Sequence, residues 1–154
     1  MAVLVTGGAG YIGSHMVWEL LDAGEEVVVL DRLSTGFAWA VAPEATLVVG
    51  DVADTGLVAR LIRDHAVDAI IHFAGSIVVP ESVADPLAYY ENNTCKTRAL
   101  IETAVRAGVP DFIFSSTAAV YGGGGREPGR GGARPSPQTP PGPSQPMGER
   151  KVRA

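Results

Sequence analysis

The 154-residue chain is long enough for one folded domain, and its 46% hydrophobic and 19% charged residues are ordinary for a globular protein. A net charge of −5 gives no reason to expect a nucleic-acid partner, and a single cysteine excludes an internal disulfide and a multi-cysteine zinc site. The sequence shows neither a signal-peptide pattern nor the ~18 to 20 consecutive apolar residues of a membrane span. We therefore expect a cytoplasmic protein with no membrane partner.

Composition divides the chain into two zones near Tyr121. Residues 1–121 carry 6 Lys/Arg against 15 Asp/Glu, whereas residues 122–154 carry 6 against 2, together with 9 Gly and 7 Pro. A segment of the second kind cannot bury enough apolar surface to offset the entropy lost on ordering. The sequence therefore predicts a folded domain at 1–121 and a disordered, Gly/Pro-rich tail at 122–154.

Strand and helix patterns alternate along the first zone. Short apolar runs typical of buried parallel strands lie at 2–6, 26–30, 46–49, 68–72 and 111–114. Helices are predicted at 11–23, after an N-cap at Asp54, and at 86–107. The helix residues expected to face the core are Ile12, Met16, Leu20, Leu21, Leu57, Leu61 and Ile62. Right-handed crossovers then give the strand order 3-2-1-4-5, so the predicted fold class is α/β, a Rossmann-type doubly wound parallel sheet.

The longest predicted helix has clear start and stop signals. Asp85 suits the N-cap, and Pro86 suits the first helical position, where its missing N–H costs nothing. Gly108 and Pro110 close the helix. Gly24 is expected to end the first helix in the same left-handed conformation that favours glycine at helix C-termini.

A glycine turn, Gly7-Gly8-Ala9-Gly10-Tyr11-Ile12-Gly13, follows the first strand and opens the first helix. In such turns Gly7 makes the tight bend, Gly10 lets a diphosphate approach the backbone, and Gly13 allows close packing of helix and strand. The free N–H groups and the dipole at a helix start also favour an anion. An acidic residue, Asp31, follows 18 residues after Gly13 at a strand end. This combination predicts an NAD site.

Acidic residues end the next two strands. Asp31 is expected to accept hydrogen bonds from the adenosine ribose, which favours NAD over NADP, although the adjacent Arg32 is able to meet a phosphate. Asp51 and Val52 follow the third strand, where Asp51 either contacts the adenine amino group or starts the next helix. Phe73-Ala74-Gly75 follows the fourth strand, at the carboxyl edge where ligands of open α/β sheets bind.

Five segments together resemble the extended short-chain dehydrogenase/reductase family and, within it, the nucleotide-sugar epimerases. They are VTGGAGYIGSH (5–15), LDRLSTG (30–36), GDVAD (50–54), IIHFAGSIVVPESVADPLAYYENN (70–93) and FIFSSTAAVYG (112–122). Sugar-nucleotide dehydratases and decarboxylases share parts of this pattern. The resemblance implies NAD as a tightly held cofactor, UDP-glucose and UDP-galactose as substrates, and their interconversion through a 4-keto sugar.

The resemblance also implies residue roles. Thr117 matches the catalytic Ser/Thr that hydrogen-bonds the 4-hydroxyl of the sugar. Ile77 stands where many relatives have lysine, so that cofactor contact is missing or is made by backbone. The full set of implied cofactor contacts is Gly7, Gly10, Tyr11, Ile12, Gly13, Asp31, Arg32, Leu33, Ser34, Thr35, Gly36, Asp51, Val52, Phe73, Ala74, Gly75, Ile77, Asn92, Ser115 and Ser116.

The chain departs from the family at the general base. The family motif Pro-Tyr-Gly-x-Ser-Lys aligns with residues 140–145, where Pro141 replaces tyrosine and Gln145 replaces lysine. Proline has no proton to exchange and glutamine no charge to lower a phenol pKa, and loss of a general base typically costs ~10²- to 10⁴-fold in rate. We therefore expect NAD binding without epimerase activity.

Further expectations follow from the family's domain organisation. The family continues into a smaller domain that holds the UDP group, and it forms homodimers through a helix that partners 86–107. Neither that domain nor that partner helix is found in the sequence, so we expect little sugar-nucleotide binding and no family-type dimer. The alternatives to a defective epimerase are a non-catalytic NAD-binding module or sensor, a fragment of a related dehydratase or decarboxylase, and an interaction protein acting through its basic tail.

Overall fold

The computed structural model describes residues 1–117 of the chain. The predicted tail at 122–154, the domain boundary at Tyr121 and the Pro141 and Gln145 positions lie outside the described residues. One compact unit consists of Met1–Gly75 and Cys95–Ser115, and the described part of a second consists of Ser76–Thr94 with Ser116 and Thr117. In residues 1–117, no helix has the length and apolar character needed to cross a membrane.

The first unit contains a five-stranded parallel sheet in the order β3-β2-β1-β4-β5, as predicted. The strands are β1 (Ala2–Thr6), β2 (Glu26–Asp31), β3 (Thr46–Val49), β4 (Val67–His72) and β5 (Asp111–Phe114). The three central strands are apolar almost throughout, because a parallel sheet is covered by helices on both faces. The predicted bounds are confirmed for β1, β3 and β5, and β2 and β4 are each one residue longer than predicted.

Alternate strand residues pack into two separate cores, one on each face of the sheet. Helix α1 (Tyr11–Asp22) covers one face, where Val17 packs with Val3, Val5 and Val29. Helices α2 (Thr55–Asp64) and α5 (Lys96–Ala107) cover the other face, and their buried side chains pack against strand residues such as Leu4 and Leu30. This arrangement confirms the Rossmann-type α/β/α fold.

The helix faces differ from the prediction at a few positions. Ile12 is expected to face the core but is 63% exposed, because Gly13, Ser14 and Val17 form the buried side of α1 and Ile12 lies to the side of that face. Met16, Leu20 and Leu21 pack against the core as expected. In α2, Leu61 and Ile62 are buried and Leu57 is half-buried, but the most buried side chain is Val58.

The predicted single helix at 86–107 has three parts. Helix α4 (Pro86–Tyr90) begins as predicted, with Asp85 Oδ1 accepting a hydrogen bond from the Ala88 N–H at 3.0 Å. A π-helical segment, Glu91–Cys95, then separates α4 from α5. A short helix α3 (Val79–Ala84) and a 3-10 turn (Ala38–Ala40) were not predicted. Neither has the length that makes a hydrophobic period visible in sequence.

Candidate dinucleotide site

The glycine turn connects β1 to α1 and requires glycine for steric reasons. Gly7 has a φ of +73°, and a Cβ there would lie 2.6 Å from the Ala74 backbone nitrogen. A Cβ on Gly13 would overlap the Gly7 carbonyl oxygen, and a Cβ on Gly8 would lie 2.7 Å from Val29 Cγ1. The bend predicted at Gly7 and the close packing predicted at Gly13 are confirmed, whereas the constraint at Gly8 was not predicted.

The start of α1 presents backbone N–H groups without a capping side chain. Gly10 is the N-cap and makes no side-chain cap, and the first helical bond runs from the Ser14 N–H to the Gly10 carbonyl at 2.9 Å. The N–H groups of Tyr11, Ile12 and Gly13 precede that bond, so helix geometry gives them no intrahelical acceptor. Tyr11 is 83% exposed, which leaves this end of the helix open to solvent. Such a terminus suits an anionic group.

Asp31 joins the end of β2 to the glycine turn. Its Oδ2 accepts a hydrogen bond from the Ala9 N–H at 3.0 Å, and its Oδ1 accepts one from the Leu33 N–H at 2.8 Å. The chain bends at Leu33, whose φ is +55°. Each carboxylate oxygen has a second lone pair, so Asp31 is able to accept two further hydrogen bonds.

The loop 31–36 lies directly against the glycine turn. A Cβ on Gly36 would lie 2.8 Å from the Ala9 carbonyl carbon, and the Phe37 N–H donates to the Ala9 carbonyl oxygen at 3.0 Å. Ser34 and Thr35 between these contacts are exposed. The structure therefore brings together the two segments that the sequence assigned to a dinucleotide.

Asp51 sits in an ion-pair cluster at the end of β3. Its Oδ2 accepts from Lys96 Nζ at 2.6 Å and from Arg32 Nη1 at 3.2 Å, and its Oδ1 accepts from the Ala53 N–H at 2.9 Å. Partial burial alone would raise the pKa of Asp51. The hydrogen bonds from Lys96 and Ala53 and the charges of Lys96 and Arg32 outweigh burial and lower that pKa below its usual range. The Ala53 bond lies in the turn before α2, whose N-cap is Asp54, so Asp51 does not itself start that helix. The adenine contact stays a prediction.

Lys96 is the site residue that the sequence did not reveal. It begins α5, 45 residues after Asp51, and no local pattern connects the two positions. The neighbouring Val52 is only 8% exposed and belongs to the core, so any cofactor contact it makes comes from its backbone.

The carboxyl ends of β4 and β5 extend the same edge of the sheet. The Phe73 N–H donates to the Thr6 carbonyl at 2.9 Å, and the Ser115 N–H donates to the His72 carbonyl at 3.1 Å. Ala74, whose backbone contacts Gly7, and Gly75 are half-buried there. Phe73 and Ala74 therefore lie against the end of β1 and the glycine turn, and Ser115 follows β5 beside the end of β4.

His72 itself is a buried core residue between two threonines. Its Nδ1 lies 2.6 Å from Thr6 Oγ1 and its Nε2 lies 2.8 Å from Thr97 Oγ1. Among residues 1–117, no group of three or more His, Cys, Asp or Glu side chains is arranged to hold a metal ion.

In the second unit, the predicted contact Asn92 and its neighbour Asn93 both bind Ser76. Asn92 Nδ2 donates to Ser76 Oγ at 2.8 Å. Asn93 is buried, accepts from the Ser76 N–H at 2.7 Å and donates to the Ser76 carbonyl at 2.9 Å. Both asparagines lie in the π-helical segment, which hydrophobic spacing does not reveal. Ile77 is 68% exposed, Ser116 is exposed and Thr117 is half-buried.

Tyr89 connects two elements of this second unit. Its hydroxyl donates to Glu81 Oε2 at 2.9 Å and accepts from the Val78 N–H at 3.1 Å. Burial of the phenol, and next its hydrogen bond and charge interaction with Glu81, raise the pKa of Tyr89 above its usual value. Tyr89 therefore holds α3 and α4 together as a neutral phenol.

The sheet order, the glycine turn and the acidic residue at the end of β2 define a Rossmann-type dinucleotide-binding protein. Residues 3–154 match the NAD dependent epimerase/dehydratase family, and the chain belongs to that family. NAD is the cofactor of the family, as the resemblance predicted.

Individual relatives and solved structures agree with this assignment. The chain is 51% identical over 151 residues to a UDP-glucose 4-epimerase of Azospirillum brasilense, covering 98% of this chain and 43% of that protein. It is similar to the crystal structure of UDP-glucose 4-epimerase from Brucella ovis in complex with NAD, with a TM-score of 0.82 and 40% identity over 98% of this chain and 44% of that one. The complex of the Thermus thermophilus UDP-glucose 4-epimerase with NAD gives a TM-score of 0.83 and 36% identity over 99% of this chain and 48% of that one. The chain therefore spans less than half the length of these proteins.

Proposed function

We propose that this chain binds NAD at the edge formed by the glycine turn and the ends of β2 and β3. The observation that carries the proposal is the 3.0 Å hydrogen bond from the Ala9 N–H to Asp31. It holds the turn that would receive the diphosphate next to the carboxylate that would receive the adenosine ribose. The proposed NAD-binding domain extends to residue 121, as the composition of the chain suggests.

The residues present fit the dinucleotide. Gly10 has no side chain at the mouth of the turn, and the uncapped N–H groups of Tyr11, Ile12 and Gly13 suit a diphosphate. Asp31 retains lone pairs for ribose hydroxyls, and its negative charge disfavours the extra phosphate of NADP. The other proposed contacts come from 32–36, 51–52, 73–77, Asn92 and 115–116.

Epimerisation needs a general base as well as bound NAD. Relatives at 51% identity carry the name UDP-glucose 4-epimerase, and bound NAD supplies the hydride acceptor and donor in such chemistry. In this chain Thr117 would hydrogen-bond the sugar hydroxyl. An alcohol needs an adjacent base, and Pro141 and Gln145 occupy the motif positions where the family has tyrosine and lysine. We therefore propose that the 154-residue chain binds NAD but does not catalyse the epimerisation by itself.

Calorimetry with NAD tests the binding proposal. Asp31→Ala removes the ribose acceptor and the partner of the Ala9 N–H, so NAD affinity should fall by about tenfold or more. Asp22→Ala makes the same change at an exposed position near the end of α1 and should leave affinity unchanged. Equal NAD affinity for the native chain and Asp31→Ala would contradict the proposal.

A turnover assay tests the catalytic proposal separately. The purified chain is incubated with UDP-galactose, with and without added NAD, and UDP-glucose is measured by chromatography. A full-length relative serves as the positive control. We expect no UDP-glucose above background from the 154-residue chain, and appreciable turnover would show that Pro141 and Gln145 do not disable it.

A further inference from the structure

Two residue types that select opposite cofactors lie side by side at the end of β2. An acidic residue in this position favours the free ribose hydroxyls of NAD, whereas a nearby arginine accommodates the 2′-phosphate of NADP. This chain has both, as Asp31 and Arg32. The sequence favours NAD through Asp31, and whether Arg32 counteracts that preference depends on what its guanidinium contacts.

The Arg32 guanidinium faces a carboxylate in the folded chain. Its Nη1 lies 3.2 Å from Asp51 Oδ2, and the pair connects the ends of two neighbouring strands, because Asp31 pairs with Val49 in the parallel register. The side chains are 45% and 31% exposed, so the ion pair is only partly screened by solvent. The carboxylate thus competes with any phosphate for the same guanidinium.

Lys96 and Ala53 hold Asp51 in place for this contact. The Lys96 side chain is only 17% exposed and its Nζ lies 2.6 Å from Asp51 Oδ2, while the Ala53 N–H binds the other oxygen. The lowered pKa of Asp51 keeps the carboxylate ionised throughout the neutral range. The acceptor for Arg32 is therefore held in position and is ionised near neutral pH.

We propose that Asp51 determines cofactor specificity: by engaging Arg32 it withholds the guanidinium from the 2′-phosphate of NADP and so favours NAD. The inference rests on the proposed function, since it concerns the same dinucleotide site. Asp31 repels the 2′-phosphate directly, whereas Asp51 removes the cation that would otherwise compensate for that repulsion. Lys96 acts as a positioning residue through Asp51.

The test measures NAD and NADP dissociation constants by calorimetry and compares their ratio among variants. Asp51→Asn keeps an oxygen for the Ala53 N–H but loses the charge that holds Arg32. We expect the NADP-to-NAD ratio of dissociation constants to fall by about threefold to tenfold. Asp64→Asn, the same change at an exposed residue paired with Arg63, should leave the ratio unchanged.

Two further variants distinguish two causes of a changed ratio, the release of Arg32 from Asp51 and the loss of a negative charge near the cofactor. In an Arg32→Gln background, Asp51→Asn should leave the ratio unchanged, because no guanidinium remains to be released. Lys96→Met should lower the ratio by a smaller factor than Asp51→Asn, since Asp51 keeps its charge but is held less firmly against Arg32. A fall of equal size in the Arg32→Gln background, or no fall with Lys96→Met, would overturn the inference.

The two proposals fail in different ways. If the native chain does not bind NAD, the proposed function itself is wrong. If the native chain binds NAD and Asp31→Ala weakens that binding, but Asp51→Asn leaves the ratio unchanged, only the role of Asp51 is wrong. Lys96→Met gives an independent answer if Asp51→Asn does not fold.

Discussion

His72 Nε2 lies 2.8 Å from Thr97 Oγ1, a buried polar contact that joins the last residue of β4 to α5. The other ring nitrogen lies 2.6 Å from Thr6 Oγ1 on β1. All three side chains are at most 2% exposed. A polar group buried this deeply is costly to leave without its partner, because water does not replace the lost hydrogen bond.

We therefore predict that His72→Phe destabilises the chain by about 2–4 kcal/mol, from two threonine hydroxyls each losing a buried partner. Urea unfolding followed by circular dichroism measures the change. The triple variant His72→Phe with Thr6→Val and Thr97→Val removes the two hydroxyls that lack partners. It should recover part of the lost free energy of unfolding. A triple variant less stable than His72→Phe alone would contradict this account.

Gly13→Ala should disrupt the glycine turn. The added methyl group overlaps the Gly7 carbonyl oxygen, a backbone atom that moves only if the turn is distorted. We expect a loss of about 1–3 kcal/mol in the free energy of unfolding, measured by urea titration, and weaker NAD binding by calorimetry.

Gly56→Ala is the matched control for that substitution. A Cβ at this position in the first turn of α2 has Asp54 Oδ1 as its nearest neighbour, at an ordinary 3.5 Å. Alanine in a helix is favoured over glycine, so this variant should be more stable by about 0.5–1 kcal/mol. If both glycine variants lost stability equally, steric overlap at Gly13 would not be the cause.

Acid unfolding should report the lowered pKa of Asp51. A carboxyl whose pKa is lower in the folded state than in the unfolded state stabilises the fold above its unfolded pKa. That contribution is lost as the pH falls from the ordinary value of 3.8 through the lower folded value. The difference in unfolding free energy between the native chain and Asp51→Asn should be constant near neutrality and shrink below about pH 4. A difference that does not change with pH in this range would contradict the assignment.

Alkaline titration should identify Tyr89 by its raised pKa. The neutral phenol is favoured in the folded state, so its contribution to stability is present below the ordinary pKa of 10.0 and is lost as the pH rises through the folded value. In an ultraviolet titration of the folded chain, Tyr89→Phe should remove a component that ionises later than the ordinary tyrosine range. The prediction would be contradicted if Tyr89→Phe removed a component that ionises within the ordinary tyrosine range.

Much of the fold was predictable because its signals are local. The bounds of β3 and β5 follow from short apolar runs, and Asp54 and Asp85 cap their helices through bonds to N–H groups three residues later. Gly108 ends α5 at a φ of +75°, which glycine adopts at little cost. Each of these signals is contained within a few consecutive residues.

The departures from prediction arise where distant segments meet. Ile12 has helical spacing but is exposed, because Gly13, Ser14 and Val17 form the side of α1 that is buried. The π-helical segment forms where Asn93 binds the backbone of Ser76, 17 residues earlier in the chain. Hydrophobic period carries no information about such bonds.

By itself, the sequence determined the parallel sheet, its strand order and the glycine turn, since these depend on local apolar runs and on residues without a side chain. It also favoured NAD over NADP through Asp31, with Arg32 beside it as the residue able to meet a phosphate. Only the tertiary structure brought Asp51 and Lys96 to Arg32, because that ion-pair cluster forms when the ends of β2 and β3 and the start of α5 meet across the sheet. The physical reason is that a charge is paired by its neighbours in space, and those neighbours are set by folding.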